Sequence, residues 1–257
     1  MMLRALCFAA ALCTLAAGER APAPGKNSFV LRGQSQDIYY FSGAQGGRSA
    51  RGKVLYAPGD GGWRGFAITM AKTMAGWGYD VYGLDTKRYL ESFTGATTLK
   101  ETEVMADFRS LAQWAGKDGC VHLVGWSEGA GLTVLAAASE DNRRTFCGVA
   151  VISLSEEPVL GWRMIDNLTW ITKKRPNEPF FKSVEYLPKI SPLGLVMIHS
   201  TQDEYTPQQL ARKMFAAAKE PKRLSLVPAQ NHRFDGGQDQ FFRALREGLE
   251  WMDRQKR

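Results

Sequence analysis

The stretch Val121-His122-Leu123-Val124-Gly125-Trp126-Ser127-Glu128-Gly129 decides how the rest of the chain is read. Val121 to Gly125 is a short apolar run of the kind that forms a strand buried on both faces. Leu132 to Ala138, a run of small and apolar residues, predicts a helix. Between the two stands Gly-x-Ser-x-Gly. A serine placed there sits on a sharp strand-to-helix turn that exposes its hydroxyl, and the flanking glycines keep side chains out of the way. The pentad alone is a common chance match, whereas its position between a β-run and a helix is specific. The rival reading is a Gly-rich turn with an inert serine.

Outward from this turn, short apolar runs alternate with amphipathic stretches. That alternation predicts an α/β fold, a mostly parallel central sheet flanked by helices. Toward the N-terminus, residues 29–31 and 38–41 read as two leading strands and 53–57 as a third, ended by Pro58-Gly59. A helix is expected over 66–77, a strand over 79–84, and a helix over 98–115 with Val104, Phe108, Leu111 and Trp114 on one side. Toward the C-terminus come strands at 149–154, 195–198 and 224–227, with helices at 207–218 and near 238–253. Residues 155–190 break this rhythm and carry Trp162, Met164, Trp170, Phe180 and Phe181. A segment that long is usually a functional lid or disordered. It reads either as a small cap over a site or as a surface excursion with its own cluster.

Serine is a weak nucleophile at neutral pH and needs a positioned base. The chain has three histidines. His122 lies inside the strand before Ser127 and reads as a core residue. His199 ends a later strand. His232, in Gln230-Asn231-His232-Arg233-Phe234, follows the last strand and alone fits the order serine, acid, histidine. The acid that orients the imidazole is assigned to Asp203, in the loop after the strand at 195–198, with Glu204, Glu156 and Glu157 as rivals. The oxyanion donors are assigned to the backbone N–H of Glu128, at a helix N-terminus, and that of Asp60 in Pro58-Gly59-Asp60-Gly61-Gly62-Trp63. Gly59, Gly61, Trp63 and Trp126 are expected beside the substrate. No metal-ligand spacing, GxGxxG fingerprint or phosphate-binding loop occurs, so no metal and no cofactor is expected.

The chain ends and the charge set the context. Arg4, the apolar run Ala5 to Ala17 and the small residues Ala16-Ala17-Gly18 have the order of a secretory signal peptide over 1–18, and a first helix in the membrane or core is the alternative. Residues 19–26 read as a linker and 27–257 as a single domain, the size expected of one α/β unit among 257 residues. Export implies a periplasmic or secreted protein. There Cys120 and Cys147, each just before an apolar run, are either bridged or buried as free thiols. The formal net charge of +7 favours anionic partners such as a phospholipid surface. Nothing in the chain has the pattern of a nucleic-acid-binding module.

At these residues the chain resembles the α/β-hydrolase superfamily over essentially all of 27–257, and within it the VirJ-type bacterial virulence family, which includes the C-terminal part of AcvB-like proteins. The likeness rests on Gly59-Asp60-Gly61-Gly62-Trp63, on Gly83-Leu84-Asp85-Thr86-Lys87-Arg88-Tyr89, on Ser127 in its turn and on Asn231-His232-Arg233-Phe234. It implies an α/β-hydrolase fold, a periplasmic location, a Ser127–Asp203–His232 triad acting on a small-molecule or lipid ester, and a substrate such as aminoacylated phosphatidylglycerol. Lys87 and Arg88 then either face an anionic headgroup or are solvated. Trp126 and Glu128 flank Ser127 where the family usually has Tyr and Phe, and Leu90 stands where an aromatic is usual. Two other functions remain open on the same fold: a binding or assembly factor without turnover, and a peptidase or thioesterase.

Overall fold

The computed structural model describes residues 22–255 except 45, 96 and 117. The expected signal peptide lies outside the described residues. Eight strands form one sheet in the order β1-β2-β4-β3-β5-β6-β7-β8. They are β1 (Gly25–Leu31), β2 (Gln34–Phe41), β3 (Gly52–Ala57), β4 (Tyr79–Leu84), β5 (Val121–Trp126), β6 (Phe146–Ile152), β7 (Gly194–Ser200) and β8 (Lys222–Val227). β1 and β2 form an antiparallel hairpin, β2 runs antiparallel to β4, and every other pairing is parallel. The helices are α1 (Phe66–Gly76), α2 (Thr86–Ser92), α3 (Glu101–Trp114), α4 (Glu128–Ala138), α5 (Thr169–Thr172), α6 (Ser183–Tyr186), α7 (Gln208–Ala217) and α8 (Gln238–Arg254).

The central strands are apolar throughout because helices cover both faces of the sheet. Every residue of β6 and β7 is buried. One core lies under α3 and α4, with Leu55, Leu123, Phe108 and Leu135; the other lies under α1 and α8, with Val54, Val124, Met70, Phe241 and Leu249. Neighbours in each strand thus face opposite cores, as the period of two requires.

The expected strands and most helices are present, with informative differences. β1 starts at Gly25, so the last two residues of the expected 19–26 linker are already strand, with Lys26 in an ion pair to Asp37. Helix α2 was not expected. Asp85 caps it, its carboxylate accepting from Arg88 N–H at 3.2 Å, and an aspartate at a helix start satisfies a donor that the helix itself leaves unpaired. The small-residue helix α4 begins four residues earlier than its apolar run, directly after Ser127. The segment 155–190 is folded, with a 3₁₀ turn over Met164–Leu168, α5, α6 and a bridge between Val159 and Phe180.

Cys120 and Cys147 are joined in a disulfide, with Cα atoms 5.4 Å apart, at the edge where β5 and β6 begin. Closing a loop of 27 residues restricts the unfolded chain and is worth about 3.5 kcal/mol on the loop-entropy relation. Replacing both cysteines by serine should lower the unfolding free energy by about that amount in a urea titration and steepen the slope, because the freed unfolded chain exposes more surface.

Candidate active site

Strand β5 ends and α4 begins within one residue. Ser127 makes that turn with φ 57° and ψ −125°, a left-handed backbone that non-glycine residues rarely adopt and that costs about 1–3 kcal/mol. Tight packing enforces it. A Cβ on Gly129 would lie 2.0 Å from the Ala57 carbonyl oxygen, and one on Gly125 would lie 2.4 Å from Thr133 Oγ1. Both glycines of the pentad are therefore demanded by contact. Ser127 N–H donates to the Ile152 carbonyl at 3.0 Å, which ties the turn to β6.

His232 and Asp203 come from loops after β8 and β7 and are both buried. His232 Nδ1 donates to Asp203 Oδ2 at 2.8 Å, which leaves Nε2 as the basic nitrogen. Asp203 Oδ1 accepts from the N–H groups of Tyr205 (2.9 Å) and Thr206 (3.1 Å). Burial alone would raise this carboxyl. The hydrogen bond and charge of His232 and the two backbone donors outweigh it, holding the pKa down at about 2. Ser127 and His232 line one cavity of about 690 Å³. They are not hydrogen-bonded to each other here, and such contacts commonly tighten only around substrate.

Of the rival acids, Glu204 accepts the His232 backbone N–H at 2.7 Å, while Glu157 pairs with Arg175 and Glu156 with Lys213. His122 is in the core with Nε2 2.8 Å from Asp253, and His199 Nε2 donates to the Thr206 carbonyl, bracing the Asp203 loop from behind.

Gly59, Gly61, Asp60, Trp126 and Glu128 line the cavity. Gly59 is there because a Cβ would stand 3.0 Å from Ser127 Cβ. Trp126 lies against His232 with ring centroids 5.7 Å apart. Trp63, Lys87 and Arg88 are not among the residues that line the cavity. Trp63 stacks on Tyr39 at 4.6 Å and fills the space over Gly83, where a Cβ would fall 1.9 Å from its ring. Lys87 and Arg88 lie on α2, paired with Glu91 and Asp37.

The cap supplies what sequence reading could not assign residue by residue. Trp162, Trp170, Lys173, Lys174 and Arg175 line the cavity. Trp170 Nε1 donates to the Asp60 carboxylate, Val159 N–H donates to Glu128 Oε2 at 3.0 Å, and Lys173 Nζ donates to Tyr205 Oη at 2.8 Å. Tyr205 in turn meets the His232 ring edge-on at 5.0 Å. The aromatic content of 155–190 signalled a cap; nothing in it signalled these partners. Glu128 is the other surprise. Burial, then the neighbouring Asp60 carboxylate, push its pKa up to about 8 against the opposing pull of Val159 N–H and Arg175.

The family model for the bacterial virulence protein VirJ matches residues 52–250. The chain belongs to the VirJ family. Its sheet, helices and turn are also those of the α/β-hydrolase fold. Est1E from Butyrivibrio proteoclasticus superposes with a TM-score of 0.66 at 14% identity, covering 89% of this chain and 98% of that one. The α/β hydrolase GrgF from Penicillium sp. sh18 gives 0.67 at 15% identity over 90% and 98%. An esterase domain from a Rhodothermus marinus protein gives 0.62 at 18% identity over 89% and 97%. By sequence, 52 residues are 38% identical to the uncharacterized protein YfhR of Escherichia coli K12, covering 20% of this chain and 18% of that protein. The VirJ chain thus shares its fold with esterases.

The raised Glu128 pKa has a consequence for stability. Its folded value of about 8 exceeds the ordinary 4.5, so the folded VirJ chain binds this proton more tightly than the unfolded chain does. Stability from that preference is lost as pH rises from about 5 through about 8. Over that window the thermal midpoint of wild type should fall relative to Glu128→Gln, which has no proton to lose there. Parallel midpoint curves would show that Glu128 titrates normally.

Proposed function

We propose that this VirJ-family protein is an exported serine hydrolase acting on ester substrates through an acyl-enzyme. The observation that carries the reading is the strained Ser127 turn opening into the same cavity as His232, whose Nδ1 is held by Asp203. Ser127 Oγ attacks the ester carbonyl and passes its proton to His232 Nε2. The N–H groups of Asp60 and Glu128 receive the developing oxyanion. His232 returns the proton to the departing alcohol, then takes one from water as that water attacks the acyl carbonyl, and passes it to Ser127 Oγ as the carboxylic acid leaves. Asp203, held ionised, stabilises the imidazolium at each stage.

The charges around the cavity support a substrate that carries both signs. Glu128 and Asp60 border the nucleophile, whereas Lys173, Lys174 and Arg175 enter from the cap. An ammonium on the acyl side suits the Asp60 carboxylate, with the Glu128 carboxyl beside it as a hydrogen-bonding group, and a phosphate on the alcohol side suits the cap cations. An aminoacylated anionic phospholipid has this arrangement, in keeping with a periplasmic role.

A fluorophosphonate probe should label wild type and leave Ser127→Ala unlabelled; equal labelling of both would overturn the acyl-enzyme. Turnover of an ester substrate should fall by about 10⁴ or more in Ser127→Ala and His232→Ala, and by about 10⁴ in Asp203→Asn. For the charge reading, Asp60→Asn should raise KM for an aminoacyl ester well above its effect on an uncharged ester of the same size. Equal effects on both would remove the ammonium subsite.

A further inference from the structure

The cap has a second face. Among the described residues seven large apolar side chains are exposed, and five of them, Met164, Ile165, Leu168, Ile171 and Phe180, fall between 164 and 180. Met164 is 83% exposed, Ile165 65%, Leu168 52% and Ile171 79%. These four recur at helical spacing where the 3₁₀ turn Met164–Leu168 runs into α5, so they form one outward stripe. The other side of the same turn is occupied inward. Asp166 is buried and accepts from Arg163 N–H, Asn167 accepts from Trp162 Nε1 at 3.2 Å, and Thr169 and Trp170 line the cavity. A contiguous exposed apolar stripe of this kind marks a surface that another phase or molecule covers.

Charge selects the occupant. Between 163 and 182 the exposed charges are all basic: Arg163, Lys173, Lys174, Arg175 and Lys182. The two carboxylates of the stretch, Asp166 and Glu178, are buried. Glu178 pairs with Arg163, and Arg175 pairs with Glu157, while Lys174 and Lys182 have no ion-pair partner among the described residues. A second copy docking through a twofold axis would bring this cationic rim against itself. An anionic bilayer accepts both features at once, apolar side chains into the acyl boundary and lysines at the headgroups.

We propose that the outer face of the cap, Met164–Ile171 with its basic rim, docks the protein on an anionic phospholipid surface. No helix among the described residues is long and apolar enough to cross a membrane. Because the same segment walls the cavity, docking holds the cap side of the site at the headgroup layer. That last consequence rests on the hydrolase reading; the docking itself does not.

The test is co-sedimentation of the protein with vesicles of phosphatidylcholine alone and of phosphatidylcholine mixed with phosphatidylglycerol. Wild type and Ser127→Ala should both pellet with the mixed vesicles and remain in solution with phosphatidylcholine alone. The quadruple variant Met164→Ser, Ile165→Ser, Leu168→Ser, Ile171→Ser should lose about tenfold or more in partitioning. Its thermal midpoint and its turnover of a short soluble ester should stay at the wild-type level. Lys174→Glu with Lys182→Glu should weaken binding and flatten its salt dependence. Equal partitioning of wild type and the quadruple variant, binding that ignores phosphatidylglycerol, or no vesicle binding together with a dimer that the quadruple variant dissolves would each overturn the proposal. Loss of probe labelling at Ser127 with vesicle binding intact would instead count against the hydrolase reading alone.

Discussion

Helix α4 starts where β3 ends, and the two backbones touch through Gly129. The clearance there is so small that a single Cβ would overlap the Ala57 and Pro58 carbonyl oxygens. That contact sets the height at which α4 leaves the sheet, and so compels the chain to turn within one residue, at Ser127. The left-handed backbone of Ser127 is held by the burial around it. Gly129 to Ala138 are all buried, and the small side chains let the helix lie close on β5 and β6. The same closeness brings the loop after β3 alongside the serine, with Gly59 in contact range of its Cβ. The hydroxyl, the Asp60 backbone and the start of α4 thus share one cavity because one helix sits very near one strand.

The cap completes the cavity by gripping the loops beneath it. Trp170 holds the Asp60 carboxylate, Val159 holds Glu128, and Lys173 reaches Tyr205 and Glu204 beside Asp203. Each contact joins the cap to a different loop of the site. Acidic groups consequently lie by the nucleophile and basic ones above it. The carboxyl of Glu128 feels both burial and the Asp60 charge, and its proton is held correspondingly tightly. Sequence order placed these residues in separate segments, with Asp60 and Trp170 separated by 110 positions.

Legibility in the sequence followed the range of the interaction. The sheet and its helices were readable because burial on two faces imposes continuous apolar runs and burial on one face imposes helical spacing. Ser127, Asp203 and His232 were readable because a local turn and chain order constrain them. Helix α2 was missed because its seven residues offer too short a period, and Asp85 as a cap was its only signal. Trp63 was read toward the cavity because its neighbours Gly59 to Gly62 belong there. It points instead to Tyr39 and Gly83, whose bare backbone leaves room for the indole.

The sequence by itself determined the order of elements, the position of the Ser127 turn and the succession Ser127, Asp203, His232 along the chain, since each depends on local pattern or on order. Only the tertiary structure decided which groups surround Ser127. It seated Glu128 against Val159 and beside Asp60, held Lys87 and Arg88 on α2 in ion pairs with Glu91 and Asp37, bridged Cys120 to Cys147 and left Met164, Ile165, Leu168 and Ile171 exposed. Those outcomes depend on distances between segments remote in sequence, and residue pattern carries no record of such distances. The turn at Ser127 therefore stands at the boundary: its strand and helix are written locally, while its strained backbone exists because α4 packs onto β3.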